Sequence, residues 1–202
     1  CSPFRRCLAT PSSRWSAPSW EGVFYPKALA PGQWITHYAS EFDTVEIDAT
    51  FYRAPEPGTV AHWRERTPPG FLFAAKVPQV ITHEKRLRDC ATELGAFLEA
   101  MRRLGEKLGP LVLQFDALFQ VNSLPLLADF LGGLSSDQCY AIEIRHRSWL
   151  CDDFYRLLEE RKTALVLADL HYMPKLDRVT TDFAYIRLLG KRSAIPDDFS
   201  RV

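Results

Sequence analysis

Apolar residues in this chain form short runs that are separated by longer amphipathic segments. Six runs are almost continuously apolar, which is typical of strands covered on both faces, and RCLAT (6–10) is a weaker seventh candidate. Strands of this kind usually belong to parallel sheets, so the pattern predicts a parallel sheet. The six runs are TVEIDA (44–49), FLFAAKV (71–77), GPLVLQF (109–115), CYAIEIR (139–145), ALVLAD (164–169) and FAYIRLLG (183–190).

The segments between these runs have the apolar spacing of three and four residues that helices show. The longest, LRDCATELGAFLEAMRRLGEKL, predicts a helix over 87–108 that is stopped by Gly109 and Pro110. The segment 170–182 lacks this spacing and is predicted to be a loop. Shorter helices are predicted at 34–42, 59–66, 124–131 and 152–162.

The alternation of buried strands with helices predicts an α/β fold. A closed TIM barrel has eight strands and about 250 residues, whereas this chain has 202 residues and supplies about seven strands. We therefore predict one domain over 1–202, a TIM-barrel-like (β/α) barrel of about seven strands that lacks its C-terminal strand. An open doubly wound sheet is the competing fold, but the glycine-rich turn that nucleotide-binding sheets carry after the first strand is absent.

The overall charge gives no sign of a charged partner. Lys plus Arg and Asp plus Glu both number 25, and the isoelectric point is near 7.1, so no general field attracts nucleic acid or an anionic membrane. The apolar runs are far shorter than the roughly 20 residues that cross a bilayer. The N-terminal residues have no apolar signal region, and a cytoplasmic protein is expected.

The five cysteines show no metal-binding spacing. Their odd number in a chain of this length argues against both a zinc knuckle and a disulfide framework. Cys90 and Cys139 are expected to be small buried residues.

Polar residues gather where most of the predicted strands end. In a parallel barrel these ends converge on one face, where sites are built. In TVEIDA, Glu46 and Asp48 share one strand face while the apolar residues share the other. The clustering predicts a site at this face. Its strand-end residues are Asp48, Thr50, Lys76, Gln114, Glu143, Arg145, His146, Asp169 and Arg187.

The stretch AIEIRHRSW (141–149) carries the densest chemistry. Glu143 and Arg145 lie on one strand face, about 7 Å apart along the chain, and form either part of a site or a structural salt bridge. His146 is a candidate general acid or base, or a capping residue. Lys76 either neutralises an anion or is solvated.

Six stretches together resemble the YecE-like domain-of-unknown-function family, number seventy-two. The resemblance implies a TIM-barrel-like fold and a protein of bacterial type, and it implies no reaction. These stretches keep their order along nearly the whole chain: WEGVFYP (20–26), TVEIDATFYRAP (44–55), FLFAAKVPQVITH (71–83), LGPLVLQF (108–115), AIEIRHRSW (141–149) and YIRLLG (185–190).

The family's recurrent polar positions largely coincide with the strand-end residues. The sequence departs from the family at CLATPSSRWSAPSW (7–20), which replaces a glycine-bearing turn, and at Leu189, where many members have histidine. The family's final strand is also absent. By the resemblance, the recurrent positions are Glu46, Thr50, Tyr52, Lys76, Thr82, His83, Gln114, Glu143, Arg145, His146, Trp149, Asp169, Tyr185 and Arg187.

These residues favour an enzyme, of a hydrolase, lyase or isomerase type, that acts on a small anionic or polyhydroxylated metabolite. The candidate catalytic residues are Glu46, Glu143, His83 and His146. Lys76, Arg145 and Arg187 are expected to form a clamp for an anion. The ligand-binding residues are Thr50, Tyr52, Lys76, Gln114, Arg145, Asp169, Tyr185 and Arg187.

Two other classes of function stay open. One is a regulatory module that binds a metabolite or nucleotide without catalysis, and the other is an inactive, truncated barrel. No organic-cofactor motif is present. A divalent metal held by Glu46, Glu143, Asp169 and a histidine is disfavoured, because no HxH or HExxH spacing occurs and because lysine and arginine are expected in the same mouth.

Overall fold

The computed structural model of this protein describes residues 8–9 and 15–188. Seven strands occupy the predicted places, each within one or a few residues of the apolar run that predicted it. The strands are β1 Leu8–Ala9, β2 Thr44–Ile47, β3 Leu72–Lys76, β4 Leu108–Gln114, β5 Tyr140–Glu143, β6 Ala164–Ala168 and β7 Tyr185–Arg187.

All seven strands are parallel and form one sheet in the order β1-β7-β6-β5-β4-β3-β2. Strands β2 to β7 curl into a partial barrel, because the hydroxyl of Tyr185 on β7 reaches Glu46 on β2 although four strands lie between them. The prediction of a TIM-barrel-like α/β fold is confirmed. The predicted loss of a final strand, and Leu189, concern residues outside the described ranges.

In the part of the chain that the structure describes, five α-helices cover the outer face of the sheet, and the segment 170–182 contains neither helix nor strand, as predicted. The helices fall between the strands where the apolar spacing places them. They are α1 Trp34–Glu41, α2 Pro57–Glu65, α3 Ala91–Met101, α4 Leu124–Gly132 and α5 Asp152–Glu160.

The helix predicted over 87–108 is wrong at both ends. Leu87 has φ +67°, a left-handed value that a helix cannot contain, and α3 begins only after Cys90. Gly105, with φ +57°, interrupts the short 3₁₀ segment that follows α3. Gly109, expected to stop the helix, lies inside β4, where a Cβ would come within 3.1 Å of the Phe73 carbonyl oxygen. This glycine therefore allows β3 and β4 to approach closely.

The side chains on the two faces of the sheet differ in size. Large apolar residues fill the layer between the strands and the helices. The barrel interior is lined largely by small residues, among them Ala74, Ala141, Val166 and Ala168. The volume left by these small side chains is occupied by long polar ones from the strand ends.

The cysteines depart from the prediction in one place. Cys139 is buried as expected, but it is disulfide-bonded. An odd number of cysteines argues against a full disulfide framework but does not prevent a single disulfide. Cys90 and Cys151 are free, and Cys90 is buried. In the described part of the chain, every helix is too short or too polar to cross a membrane.

Candidate functional site

The C-terminal ends of β2 to β7, with the residues that follow them, form a mouth lined by charged side chains. Alternation along each strand turns one residue near the end of the strand into the barrel, and these residues are buried although most are ionisable. The inward polar residues are Glu46, Lys76, Gln114, Glu143 and Arg187, none more than 7% exposed.

Arg187 joins two carboxylates that come from different strands. Its Nη1 donates to Oε2 of Glu143, and its Nη2 lies 3.0 Å from Oε1 of Glu46, an ion contact without hydrogen-bond geometry. Nη1 also lies 3.4 Å from Oε1 of Gln114. We refer to Glu46, Arg187 and Glu143 as the buried triad. When all three groups are ionised the triad carries one net negative charge, because one guanidinium faces two carboxylates, so neighbouring groups must offset it.

Tyr185 and burial shape the ionisation of the triad. The phenol of Tyr185 donates to Oε2 of Glu46 over 2.5 Å. Burial raises the pKa of Glu46, while the charge of Arg187 and the Tyr185 hydrogen bond act in the opposite direction. Burial alone would lower the pKa of Arg187, but Glu46 and Glu143 together raise it above its ordinary value. The guanidinium is therefore firmly cationic.

Arg145 supplies the second cation for Glu143 and also reaches the surface. Its Nε and Nη2 lie 3.1 and 3.0 Å from Oε1 of Glu143, so the pair that shares a strand face in the sequence meets directly. The Arg145 side chain is 32% exposed. Within residues 15–188, its Nη1 makes no hydrogen bond or ion pair. Arg145 can therefore bind an anion at the mouth without leaving Glu143.

Lys76 is engaged by the turn that follows β2. Its Nζ lies 2.5 Å from Oδ1 of Asp48 and 5.5 Å from the centre of the Phe51 ring. The hydroxyl of Thr50 lies 2.7 and 2.8 Å from the carbonyl oxygens of Ile47 and Lys76. Thr50 thus connects the turn to β3. Two of the residues predicted to clamp an anion, Lys76 and Arg187, are already paired with protein carboxylates.

His83 lies in the short π-helical turn after β3, on the same side of the barrel. Its Nδ1 is 2.8 Å from the hydroxyl of Thr82, and its ring meets Phe51 edge-on at 5.1 Å. Burial lowers the pKa of His83, with Arg145, Lys76 and Arg86 lowering it further and Asp116 raising it. His83 is therefore a neutral imidazole at neutral pH.

The lowered pKa of His83 predicts a pH-dependent loss of stability. Below about pH 6.5 an unfolded histidine takes up a proton that the folded His83 resists, so the free energy of unfolding falls as the pH is lowered. His83→Gln removes this proton linkage. We expect urea unfolding at pH 7.5 and pH 5.5 to show a smaller acid loss for the variant than for the wild type. His62→Gln serves as the control, and an equal loss in wild type and His83→Gln would contradict the prediction.

His146 has the geometry of a capping residue. Its Nδ1 accepts from the backbone N–H of Ser148 at 3.1 Å and lies 2.8 Å from the Ser148 hydroxyl. Its Nε2 makes no hydrogen bond within the described ranges. Both roles expected for His146 thus persist, capping through Nδ1 and proton transfer through Nε2.

Tyr52 and Asp169 lie at the outer edge of the mouth. Tyr52 is 70% exposed, and its ring contacts Phe51 edge-on at 5.4 Å. Asp169 is exposed, and its backbone N–H donates to the carbonyl oxygen of Arg187. Both side chains are accessible to a ligand, but neither joins the buried polar contacts.

Two charged residues of the mouth were missed in the sequence. Asp116 follows β4 and its Oδ2 lies 3.9 Å from Nη2 of Arg86. The strand-end pattern that selected Gln114 would also have selected Asp116. Arg86 carries no such signal, because it enters the mouth through a left-handed backbone turn with φ +47°, which sequence spacing does not reveal.

Other places in the molecule offer less chemistry. Within residues 15–188, no three histidine, cysteine or acidic side chains lie close enough together to hold a metal ion. Clefts of about 530 and 700 Å³ open at the opposite end of the strands, beside Gln138, Cys139 and Tyr140. We place the candidate site at the mouth because the buried charges meet there.

Comparison with known proteins gives a consistent family match. The family model described as "Protein of unknown function DUF72" matches residues 11–201. The UPF0759 protein YecE of Escherichia coli (strain K12) is 33% identical over 150 residues, which cover 74% of this chain and 51% of YecE. The chain thus spans about half the length of this relative.

Two solved structures share the fold. A DUF72 family protein (TM1631) from Thermotoga maritima superimposes with a TM-score of 0.74 and 28% identity, covering 93% of this chain and 76% of that one. A DUF72 family protein (EF0366) from Enterococcus faecalis gives a TM-score of 0.72 and 25% identity, with 94% and 73% covered. None of these descriptions names an activity.

Proposed function

This chain belongs to the DUF72 family of proteins of unknown function, and from the geometry of its mouth we propose that it is an enzyme for a small anionic or polyhydroxylated metabolite. The observation that carries the proposal is a neutral histidine, His83, set among the cations Lys76, Arg86 and Arg145. A neutral imidazole beside fixed positive charge suits proton abstraction from an anionic substrate.

The residues have distinct roles in this proposal. Arg145 holds the anionic group through its unengaged Nη1, and His83 removes or returns a proton. Lys76, held by Asp48, adds to the positive field around His83 without contacting the substrate directly. Proton transfer of this kind is the chemistry of isomerases and lyases, with hydrolysis as a third reaction type that a general base can support.

The buried triad serves as a positioning group. Glu46 and Glu143 are fully buried and engaged with Arg187, so neither carboxylate faces a ligand directly. The buried carboxylate of Glu143 accepts a hydrogen bond from Arg145 Nε and so orients the Arg145 side chain, as buried partners orient ligand-binding side chains in other sites. The triad thus fixes the direction in which Arg145 points.

The second candidate function is a binding module without catalysis. It is favoured by the same triad, because carboxylates that saturate arginines are unavailable for proton transfer. The two functions differ in what His83 does. In an enzyme His83 is needed for turnover, whereas in a binding module its replacement changes affinity alone.

The site is tested by a thermal-shift screen with phosphorylated sugars, carboxylic acids, neutral sugars, nucleotides and divalent metals. A ligand raises the melting temperature by binding the folded state. We expect an anion to stabilise the wild type and the control Arg147→Gln, whose arginine is exposed, but not Arg145→Gln. If every ligand that stabilises the wild type stabilises Arg145→Gln by the same amount, the ligand does not bind at the mouth.

Turnover of the ligand so found then decides between the two functions. We expect His83→Gln to bind it while losing roughly 10²–10⁴-fold in rate, the usual contribution of a general base. If His83→Gln turns the ligand over as fast as the wild type, the proposed role of His83 fails. If neither protein converts any ligand that binds, the binding module is the better description.

A cytoplasmic location is part of the proposal. The disulfide of Cys139 argues in the other direction, since disulfides are rare in reducing compartments. Thiol labelling of protein taken directly from cells distinguishes the two, because a cytoplasmic protein is expected to carry Cys139 as a free thiol.

A further inference from the structure

Three rings form a continuous wall on one side of the mouth. The Phe51 ring lies between Tyr52, at 5.4 Å, and His83, at 5.1 Å, and both contacts are edge-on. We call Phe51, Tyr52 and His83 the ring wall. Tyr52 ends the wall with a ring that is 70% exposed, so it contributes little to the core and presents aromatic surface to the solvent.

The ring wall borders the cations of the mouth. Lys76 Nζ lies 5.5 Å from the centre of the Phe51 ring, and Asp48 holds that lysine in place from the same turn. The charge of Arg145 also acts on His83. The Arg145 side chain is partly exposed, and among the described residues its Nη1 has no hydrogen-bond or ion-pair partner. The candidate base His83 is therefore connected to an exposed aromatic ring through Phe51 and lies within the electrostatic influence of an available guanidinium.

We propose that the substrate is an aryl anion, an aromatic ring bearing a phosphate or carboxylate, whose ring stacks on Tyr52 while Arg145 holds the anionic group. The inference rests on the proposed function and adds the substrate class. A small aliphatic acid would leave the Tyr52 face in water, whereas an aromatic ring would cover it.

Stacking gives a measurable preference. A base or ring stacked on an aromatic side chain contributes on the order of 1–3 kcal/mol by alanine substitution, and each 1.4 kcal/mol corresponds to about tenfold in affinity. We expect phenyl phosphate to bind at least about fivefold more tightly than inorganic phosphate, and benzoate more tightly than acetate by a similar factor. Whichever aryl compound binds better identifies the anionic group.

Calorimetric titration of these four probes into the full chain tests the proposal. Tyr52→Ala is expected to remove the aryl preference, while Tyr52→Phe, which keeps the ring, retains it. Tyr172→Ala is the matched control, because Tyr172 is another exposed tyrosine, 46% accessible, in the loop after β6. Both tyrosines are too exposed for their loss to unfold the protein.

The outcomes separate this inference from the function on which it rests. If phosphate or acetate binds in a way that Arg145→Gln abolishes, but the aryl preference is absent or survives Tyr52→Ala, the substrate class is overturned and the site stands. If none of the four probes binds the wild type, the aryl anion is likewise rejected. The broader ligand screen then decides separately whether the mouth binds another metabolite.

Discussion

Replacing Arg187 with methionine is expected to lower the free energy of unfolding by about 3–5 kcal/mol, the usual result of breaking a buried ion pair by removing one partner. The variant leaves Glu46 and Glu143 buried without the guanidinium that both contact. Tyr185, the charge of Lys76 and the partly exposed Arg145 would then be left to offset the two carboxylates. Urea unfolding at pH 8 measures the loss.

The pH dependence of this loss identifies its cause. Without the charge of Arg187 the pKa of Glu46 rises further, so the folded variant takes up a proton as the pH falls and the penalty is relieved. The deficit relative to the wild type should therefore shrink between pH 8 and pH 5. Arg178→Met is the control, because its ion pair with Glu159 is exposed and is worth at most about 1 kcal/mol. A deficit for Arg187→Met no larger than the control's would contradict the prediction.

Trp149→Ala is expected to lower the free energy of unfolding by a similar amount, about 3–5 kcal/mol, as large-to-small changes of buried aromatic residues do. Trp149 is fully buried, and its ring lies 5.3 Å from Phe119 and 5.0 Å from Phe154. Its Nε1 donates to the Phe119 carbonyl oxygen over 2.6 Å. Trp149 therefore joins the loops that follow β4 and β5, which frame half of the mouth.

Trp149→Phe separates packing from hydrogen bonding. This variant keeps most of the ring contacts and loses the bond to Phe119, so a smaller loss of about 1–3 kcal/mol is expected, chiefly for the unsatisfied carbonyl. Urea unfolding of the two variants side by side checks the order. A loss for Trp149→Ala equal to that for Trp149→Phe would show that the ring packing contributes nothing further.

The fold could be predicted because its signals are local. Each strand run is almost continuously apolar, and the helix α5 at Asp152–Glu160 has the three- and four-residue apolar spacing of a helix. The errors arise where backbone geometry overrides spacing. Leu87 fits the apolar spacing of the helix that follows, but its left-handed φ keeps it outside α3. Gly109 looks like a helix-ending residue in the sequence, but it lies in β4, where the close approach of the Phe73 backbone leaves no room for a side chain.

The candidate site was predictable as a set of residues but not as a set of bonds. The strand-end rule selects Glu46, Glu143 and Arg187 because parallel strands end on one face. Their pairing depends on how far the sheet curls, which sets the distance between β2 and β7. Nothing in the sequence near Glu46 indicates that an arginine 141 positions later would neutralise it.

The shared guanidinium of Arg187 has a consequence for how this interior changes over generations. Losing Arg187 leaves two buried carboxylates without the guanidinium that both contact, whereas losing Glu46 or Glu143 alone leaves one carboxylate paired with one guanidinium. The steps by which the triad can change are therefore unequal, and we expect a carboxylate to be replaced before the arginine. A redesign of the mouth that removes Arg187 should replace at least one of the two carboxylates in the same step.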